Sequence, residues 1–549
     1  MPLPFWHREA TPQAGENVLA QEVKNTILRM GGTTDRLART MRPDGTGESS
    51  SPRSLRVLPD EISLRDEKGP LQQPMNLRQE TGVGGQPRAL RALSRIVNDG
   101  LCHRCGSCVG ICPTNVLEVG QEEYPTITNL SACTDCDLCV RVCPGDEFDF
   151  LDAHRKVLGV EGDLTKTHGH FEQALIAYGA AEPGLREKST SGGLVTAILL
   201  HLMDTGQIDG AVVIASDEDV LWKGKPIIAR TREELLAATK SKYAIASTNS
   251  VFSEIRTVPG KYALVGLPCQ IHGFVKAAEL DPRLRERVVL TIGLFCHAAI
   301  EHEAFEIIWE SLGERVNGAK QFVSRVGKHP GAPHLELADG SFYPVYFGNK
   351  SGFRPSSMEI INVLYRLYTP ARCLTCFDGL AEFADIAVGD PWMAPPDDDV
   401  DFHQGWSFGL VRTQRGRQII RQLQASQKLV WKDLTEKEAL SCNKHMVTEK
   451  RWRAFRMIET HRRQGKSIPS YGSFSMRPPS HTGRQFLMTE GNMLTHFCCF
   501  LPSVRAGLLR FFLGNGGYGL LWLNNKRRRI KIWTRDTLAK FRRKFWGRK

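Results

Sequence analysis

With 549 residues, 41% of them hydrophobic and 24% charged, the chain is long enough for two to four domains around at least one large core, in the composition range of soluble globular enzymes. Its net charge of +12 is local, because the stretch from Lys526 to Lys549 holds twelve Lys or Arg against one acid, Asp536, and the remaining 525 residues are nearly neutral. That argues against a specific nucleic-acid binder and leaves contact with an anionic surface, such as a membrane, to the tail alone.

The first residues, MPLPFWHREA, show no basic start, apolar run or small-residue cleavage site, so the expected compartment is the reducing cytosol and the fifteen cysteines are read as ligands before bridges. Residues 1–90 are rich in Gly, Pro, Ser, Arg and Gln and are expected to form a disordered leader. The amphipathic RALRALSRIVNDG then predicts a helix packed against the segment that follows. That segment reads CHRCGSCVGICP and, after a short spacer, CTDCDLCVRVCP, the same Cys-x2-Cys-x2-Cys-x3-Cys-Pro spacing written twice. Three thiolates two residues apart wrap one face of an iron–sulfur cube, while the fourth, turned away by its proline, reaches the other cube. By that crossing rule Cys102, Cys105, Cys108 and Cys143 hold one 4Fe–4S cluster, and Cys133, Cys136, Cys139 and Cys112 hold a second. The alternative of two structural zincs usually comes as separated Cys-x2-Cys pairs. Residues 91–155 therefore read as a bacterial-type two-cluster ferredoxin module.

From 169 to 421 strand-like and helix-like segments alternate, the pattern of an α/β domain. In STSGGLVTAILLHLMDTGQIDGAVVIAS a helix begins at Thr190-Ser191-Gly192-Gly193, where hydroxyls and glycines leave backbone N–H groups open to an anion such as a cofactor pyrophosphate; an ordinary capped helix is the plain alternative. Strands over 211–215 and 262–265 follow, and the second runs into Gly266-Leu267-Pro268-Cys269-Gln270 and a helix, which is how α/β folds set a reactive group at the carboxyl end of a sheet. VVLTIGLFCHA ends the same way on Cys296 and His297, and PARCLTCFDGLAEFADIAVGDPW adds Cys373, Cys376 and Gly389-Asp390-Pro391-Trp392. Cys269, Cys296, Cys373 and Cys376 make four thiolates, the number a third cubane or a zinc needs, and spacing does not choose between them. No catalytic residue is assigned. His297 and Asp390 are acid/base candidates, with supporting or packing roles as the plainer alternative.

Residues 422–549 read as an irregular basic extension containing a Pro/Ser/Gly-rich linker, SIPSYGSFSMRPPSHTGR. MLTHFCCFLPSVRAGLLRFFL is interrupted by Pro502, Arg505 and Arg510 and offers no continuous run near the ~18 apolar residues of a spanning helix. An interfacial anchor, a solvated tail and a partner-docking helix stay open there, and Cys498 and Cys499 are read as buried apolar cysteines before lipidation sites. Gly514-Asn515-Gly516-Gly517-Tyr518-Gly519 satisfies G-x-G-x-x-G but lacks the flanking strand, amphipathic helix and acid of a dinucleotide site, so it is read as a turn.

The run STSGGLVTAILLHLMDTGQIDGAVV, the segment Lys240-Ser241-Lys242-Tyr243, GLPCQ, GLFCH, RCLTC and ADIAVGDPW, in this order, resemble the coenzyme F-420 hydrogenase/dehydrogenase beta-subunit family. The likeness spans 169–421, as an N-terminal part over 169–255 and a C-terminal part over 256–421, and the cluster module resembles the two-cluster extension that many members carry. It implies an iron–sulfur flavoprotein oxidoreductase. FAD would be lined by Ser191, Gly192, Gly193, Lys240, Ser241, Lys242 and Tyr243, and Cys269, Cys296, Cys373 and Cys376 would ligate a third 4Fe–4S cluster. Electrons would pass from ferredoxin or another redox protein to a two-electron acceptor, a deazaflavin such as coenzyme F-420 or another small organic molecule. The rival reading is an electron-transfer subunit of a larger hydrogenase, dehydrogenase or membrane complex with no substrate of its own. The chain departs from the family at Leu267, where many members have Thr.

Overall fold

The computed structural model describes residues 87–345, 357–472 and 501–514, the backbone of Met75–Asn76, and isolated positions between 483 and 527. The disordered-leader expectation, Cys498 and Cys499, and most of the basic tail lie outside the described residues. The described residues all belong to one compact unit.

The cysteine module is built on a small sheet, β1 (Met75–Asn76), β2 (Leu117–Val119) and β3 (Pro125–Ile127), in the order β1-β3-β2. Helix α1 (Arg88–Asn98) buries Ala89, Leu90 and Leu93 against Val116, Leu117, Ile127 and Cys139, while Arg88, Arg91 and Arg95 on the opposite face stay exposed. This is the amphipathic docking that its spacing predicts. Helices α2 (Ser107–Ile111) and α3 (Leu138–Arg141) each follow the middle cysteine of one motif.

Behind the module lies an eight-stranded mixed sheet. Its strands are β4 (Gln173–Gly179), β5 (Gly210–Ser216), β6 (Gly224–Ala229), β7 (Tyr262–Gly266), β8 (Val288–Leu294), β12 (Ile386–Gly389), β13 (Ser407–Val411) and β14 (Leu429–Asp433). Their order is β14-β4-β13-β12-β8-β7-β5-β6. The four inner strands β12, β8, β7 and β5 are parallel and the outer pairings antiparallel. A separate three-stranded sheet holds β9 (Ala319–Val326), β10 (Ala332–Leu337) and β11 (Phe342–Pro344). The helices that matter for the site are α4 (Leu194–Asp204), α5 (Pro268–Leu280), α6 (His302–Leu312), α7 (Ala371–Leu374), α8 (Gln414–Ala425) and α9 (Lys444–Arg463).

The period-two pattern of the strands explains why both faces of the large sheet are dry. Ile176, Val212, Leu264, Ala387 and Phe408 join a core with Phe150, Phe252, Ile271, Phe377, Phe383 and Phe455, on the side of the module and α5. Their neighbours Leu175, Ala211, Ala263 and Ile386 face the opposite way, into a core with α4 and α8 through Leu194, Ile198, Ile420 and Leu423.

Two boundaries differ from the sequence reading. The α/β region does not stop at Arg421, because α8 runs to Ala425 and β14 pairs antiparallel with β4, with Leu423 and Leu429 in the same core as Leu175. The supposed linker is also anchored at its start. Phe148 N donates to the Ser470 carbonyl at 2.9 Å, Ser470 N to the Asp146 carbonyl at 2.8 Å, and the Tyr471 hydroxyl to the Thr375 carbonyl at 3.0 Å. Its Pro/Ser/Gly composition resembles a linker because those partners lie far away in sequence; the stretch from 473 to 482 lies outside the described residues.

Helix α10 (Pro502–Leu513) packs on α6 through buried Leu509 and ion pairs of Arg505 with Glu303 and of Arg510 with Glu310. The G-x-G-x-x-G stretch follows this helix and no strand. Among the described residues no helix is long and apolar enough to cross a membrane.

Candidate redox site

Both cysteine loops of the module bend in the same way. Arg104 and Gly106 have φ of 55° and 83°, and Asp135 and Asp137 have φ of 53° and 59°, so each middle cysteine is flanked by left-handed residues. Such turns point successive N–H groups into a concavity of the kind that surrounds iron–sulfur clusters. Arg104 is held in this conformation by bonds to the Glu122 carbonyl at 3.1 Å and the Glu301 carboxylate at 2.6 Å. Gly106 has no room for a Cβ, which would lie 2.6 Å from both Ser247 O and Ser250 N.

These loops bring the crossed sets together. Burial, and then Cys143, pushes Cys102 up to about 12 and Cys105 up to about 11. Burial, and then Cys112, Cys136 and Cys133, pushes Cys139 up to about 12. A cavity lined by Cys102, Cys105, Cys108, Cys143 and Pro144 opens at the first set. All thirteen described cysteines are free of disulfides; Cys136 is exposed, whereas Cys105, Cys139 and Cys143 are buried. Buried thiols that oppose each other's ionisation are a donor set suited to a cationic metal cluster, which takes the place of their protons. Among the described residues no three His, Cys, Asp or Glu are close enough together to hold a metal ion, so the fit to a cluster rests on the burial and mutual influence of the thiols.

The other four cysteines converge from three places. Cys269 is the second residue of α5, where Gln270 Oε1 accepts from Leu267 N at 2.7 Å and Gln270 Nε2 donates to the Ala246 carbonyl at 3.0 Å, fixing the turn. Cys296 lies just past β8, its N–H donating to the Gly379 carbonyl at 2.9 Å, and Cys373 and Cys376 sit in and after α7. Burial, and then Cys105, Cys296, Cys373 and Cys376, pushes Cys269 well up. Cys105 belongs to the first module set, so the third group adjoins the first. Burial together with Cys102, Cys143, Cys105 and Cys139 raises Cys108, which links the first set to the second.

The contact between module and α5 is tight. A Cβ at Gly273 would lie 2.2 Å from Ser107 Oγ, and Asn249 Nδ2 bridges Ser107 Oγ at 2.9 Å and the Gln270 carbonyl at 2.8 Å. The three groups thus stand in series, from exposed Cys136 inward to Cys269.

At the carboxyl ends of the strands lies a second constellation. Gly193 (φ 72°) precedes α4 with no side-chain cap, and the buried Ser189 hydroxyl finds no hydrogen-bond partner among the described residues. Thr190 Oγ1 accepts from Ser241 N at 2.9 Å, bringing Thr190–Gly193 against 240–243. Ser191 donates to Asp390, which also accepts from Arg325 Nη1 at 2.8 Å. Arg325 Nη2 reaches His329 Nδ1 at 2.9 Å, and the His329 ring lies 5.3 Å from half-exposed Trp392. Lys240 Nζ donates to the Ser189 carbonyl at 3.1 Å, while Lys242 turns to the carbonyls of Ala238 and Thr239, and burial pulls it down to about 8. Burial raises Tyr243 against the opposing pull of Arg325.

The two glycines do different work. A Cβ at Gly192 would lie 2.4 Å from Ala177 O, so this glycine lets the chain approach β4, and Gly193 makes the left-handed turn. An uncapped helix start beside Lys240 and Arg325 fits an anionic cofactor.

Both acid/base candidates are engaged. His297 Nε2 bonds Arg453 Nη1 at 3.0 Å, and burial with Arg453 and Lys450 nearby pulls its pKa well down; Asp390 is held by Ser191 and Arg325. Sequence reasoning missed Arg325, His329, Lys450, Arg453 and the buried Arg372, which donates to the Gly145 carbonyl at 3.1 Å and to Thr375 Oγ1 at 2.9 Å, under the influence of Cys143 and Cys376. Nothing in SRVGKHPG marks Arg325, which reaches the site from the other sheet, and Arg372 was legible only as the neighbour of Cys373.

Comparison with known proteins matches residues 176–253 to the model described as coenzyme F420 hydrogenase/dehydrogenase, beta subunit N-term, and residues 260–437 to that of its C terminus. Residues 176–437 thus carry both halves of the coenzyme F420 hydrogenase/dehydrogenase beta subunit, in order. Residues 101–146 match a 4Fe-4S dicluster domain. A coenzyme F420-dependent sulfite reductase from Methanocaldococcus jannaschii is 26% identical over 60% of this chain and 46% of its own length, so the chain spans less than half of that relative. Coenzyme F420 hydrogenase subunit beta from Methanosarcina barkeri is 29% identical over 42% of this chain and 72% of the relative. A solved chain of the F420-reducing NiFe hydrogenase complex from Methanosarcina barkeri aligns with TM-score 0.42 and 23% identity, over 58% of this chain and 99% of that one.

Proposed function

We propose that the chain is an FAD- and iron–sulfur-dependent oxidoreductase that carries electrons from ferredoxin or another redox protein to a two-electron acceptor, a deazaflavin of the coenzyme F420 type or another small organic molecule. The observation that carries this reading is the serial placement of three four-thiol groups, running from exposed Cys136 through Cys108 and Cys105 to Cys269. Clusters supply single electrons and a flavin pairs them, which is the chemistry these groups add when bound. The chain's own residues supply the rest. Cys136 gives a donor protein access at the surface, and the third group lies deeper, with Cys269, Cys296 and Cys373 partly buried and Cys376 buried. The α4 start, Lys240 and Arg325 favour the negative charge of FAD, and Trp392 offers an exposed ring beside it.

The relatives named as F420-dependent reductase and F420 hydrogenase subunit favour a deazaflavin acceptor. The name hydrogenase subunit also supports the second reading, an electron-transfer subunit whose chemistry lies in a partner. Anaerobic purification with metal, sulfide and flavin analysis is expected to give about twelve iron, about twelve acid-labile sulfide and about one FAD per chain. Zinc in place of iron, or the absence of flavin, overturns the reading. Turnover of the isolated chain with reduced ferredoxin and coenzyme F420 separates the enzyme from the pure adaptor.

A further inference from the structure

Helix α9 lies beyond residue 437, where the match to the family models ends, yet it reaches the centre of the site. Lys450 and Arg453 are three residues apart and so share a helix face. They are 2% and 6% exposed. Lys450 Nζ donates to the Cys296 carbonyl at 2.7 Å, and Arg453 donates to His297 Nε2 at 3.0 Å and the His297 carbonyl at 3.3 Å. The Lys450 stem passes 3.6 Å from where a Cβ would stand at Gly379, the residue whose carbonyl holds Cys296 N.

No carboxylate among the described residues pairs with Lys450. The acid nearest in the chain to these thiols, Asp378, acts on Lys450 electrostatically without pairing with it, because its oxygens are engaged with His272 Nε2 at 3.0 Å and with the N–H groups of Leu380 and Glu382. A buried ammonium is costly unless an anion compensates it. A cubane bound by four thiolates is such an anion, and it gains a further negative charge on reduction.

We propose that Lys450, seconded by Arg453, is a positioning residue that raises the reduction potential of the third cluster by holding a permanent cation against its Cys296 side. The proposal rests on the reading of Cys269, Cys296, Cys373 and Cys376 as cluster ligands. A cation at fixed distance stabilises the more negative, reduced form more than the oxidised one, so its removal makes the cluster harder to reduce.

The test is an EPR-monitored redox titration of the anaerobically purified full chain, with a Cys269→Ser chain assigning the third cluster by the signal it loses. Lys450→Met is expected to shift that midpoint downward and leave the other two in place, and Lys450→Arg to keep it near its original position. Arg453→Gln should lower it by less. An unmoved or raised midpoint in Lys450→Met at full iron content overturns the proposal. If Lys450→Met loses the third cluster's iron, Arg453→Gln decides: a lowered midpoint supports the proposal and an unmoved one overturns it. Wild-type chain with only two clusters overturns the ligand reading, and the role of Lys450 with it, and is told apart by its iron content.

Discussion

Gln270 shows how a single side chain can set the position of a ligand. Its amide accepts from Leu267 N and donates to the Ala246 carbonyl, so the residue after Cys269 locks the turn that presents the thiol. Cys269 stands on a different element from Cys296 and from the Cys373/Cys376 pair, so removing it should be local in effect. Cys269→Ser is expected to lower iron from about twelve to about eight per chain while the two module clusters keep their spectra, as read by iron analysis and EPR. At the other site, Arg325→Gln removes a buried cation facing Asp390 and Tyr243. It should reduce FAD content after gel filtration and leave iron unchanged. Equal loss of iron and flavin would show instead that Arg325 holds up the fold.

At the scale of elements, α5 does two jobs, carrying Cys269 at its start and receiving the module along its side. Gly273 makes that reception possible, since any side chain there would run into Ser107 Oγ and Asn249 Nδ2. Gly273→Val should therefore cost about 1–3 kcal/mol by overpacking, read as a lower melting temperature. It should also slow ferredoxin-driven reduction of the innermost cluster more than reduction of the module clusters. Helix α1 and strands β7 and β8 were legible from their mostly apolar buried positions, and α5 from the Gly266-Leu267-Pro268 turn that starts it. The end of the α/β region was not, because β14 is an edge strand with exposed Val430 and Trp431 that shows its role only when paired with β4.

For the molecule as a whole, the join between module and α/β region includes a buried histidine–carboxylate pair. His154 Nε2 meets Glu382 Oε1 at 2.9 Å and its Nδ1 meets the Phe150 carbonyl at 2.6 Å. Burial alone would lower the His154 pKa, but the Glu382 carboxylate outweighs it and the pKa is raised. A raised histidine contributes stability that is complete below its unfolded value, about 6.5, and is lost as pH rises through the folded value. The melting temperature of the wild-type chain should fall across that window, and His154→Gln should flatten the slope. For the basic tail, a chain ending at Asn525 should float with anionic vesicles as well as the full chain does if the tail is no anchor, and less well if it is one.

By itself the sequence determined the doubled cysteine spacing of the module and the motifs that carry the family resemblance, because short spacings and strand–turn–helix patterns are local properties of the chain. The resemblance set Ser191 and Lys240 in one expected site, and folding brings their neighbours together, Ser241 N on Thr190 Oγ1 and Lys240 Nζ on the Ser189 carbonyl. Only the tertiary structure decided that the three thiol groups stand in series, that Arg325 crosses from another sheet to Asp390, and that Lys450 lies against Cys296 from 154 residues away. The reason is physical. A charge buried by folding has the same sequence signature as one in water, and α9 with its many cations looks solvated until packing closes over it.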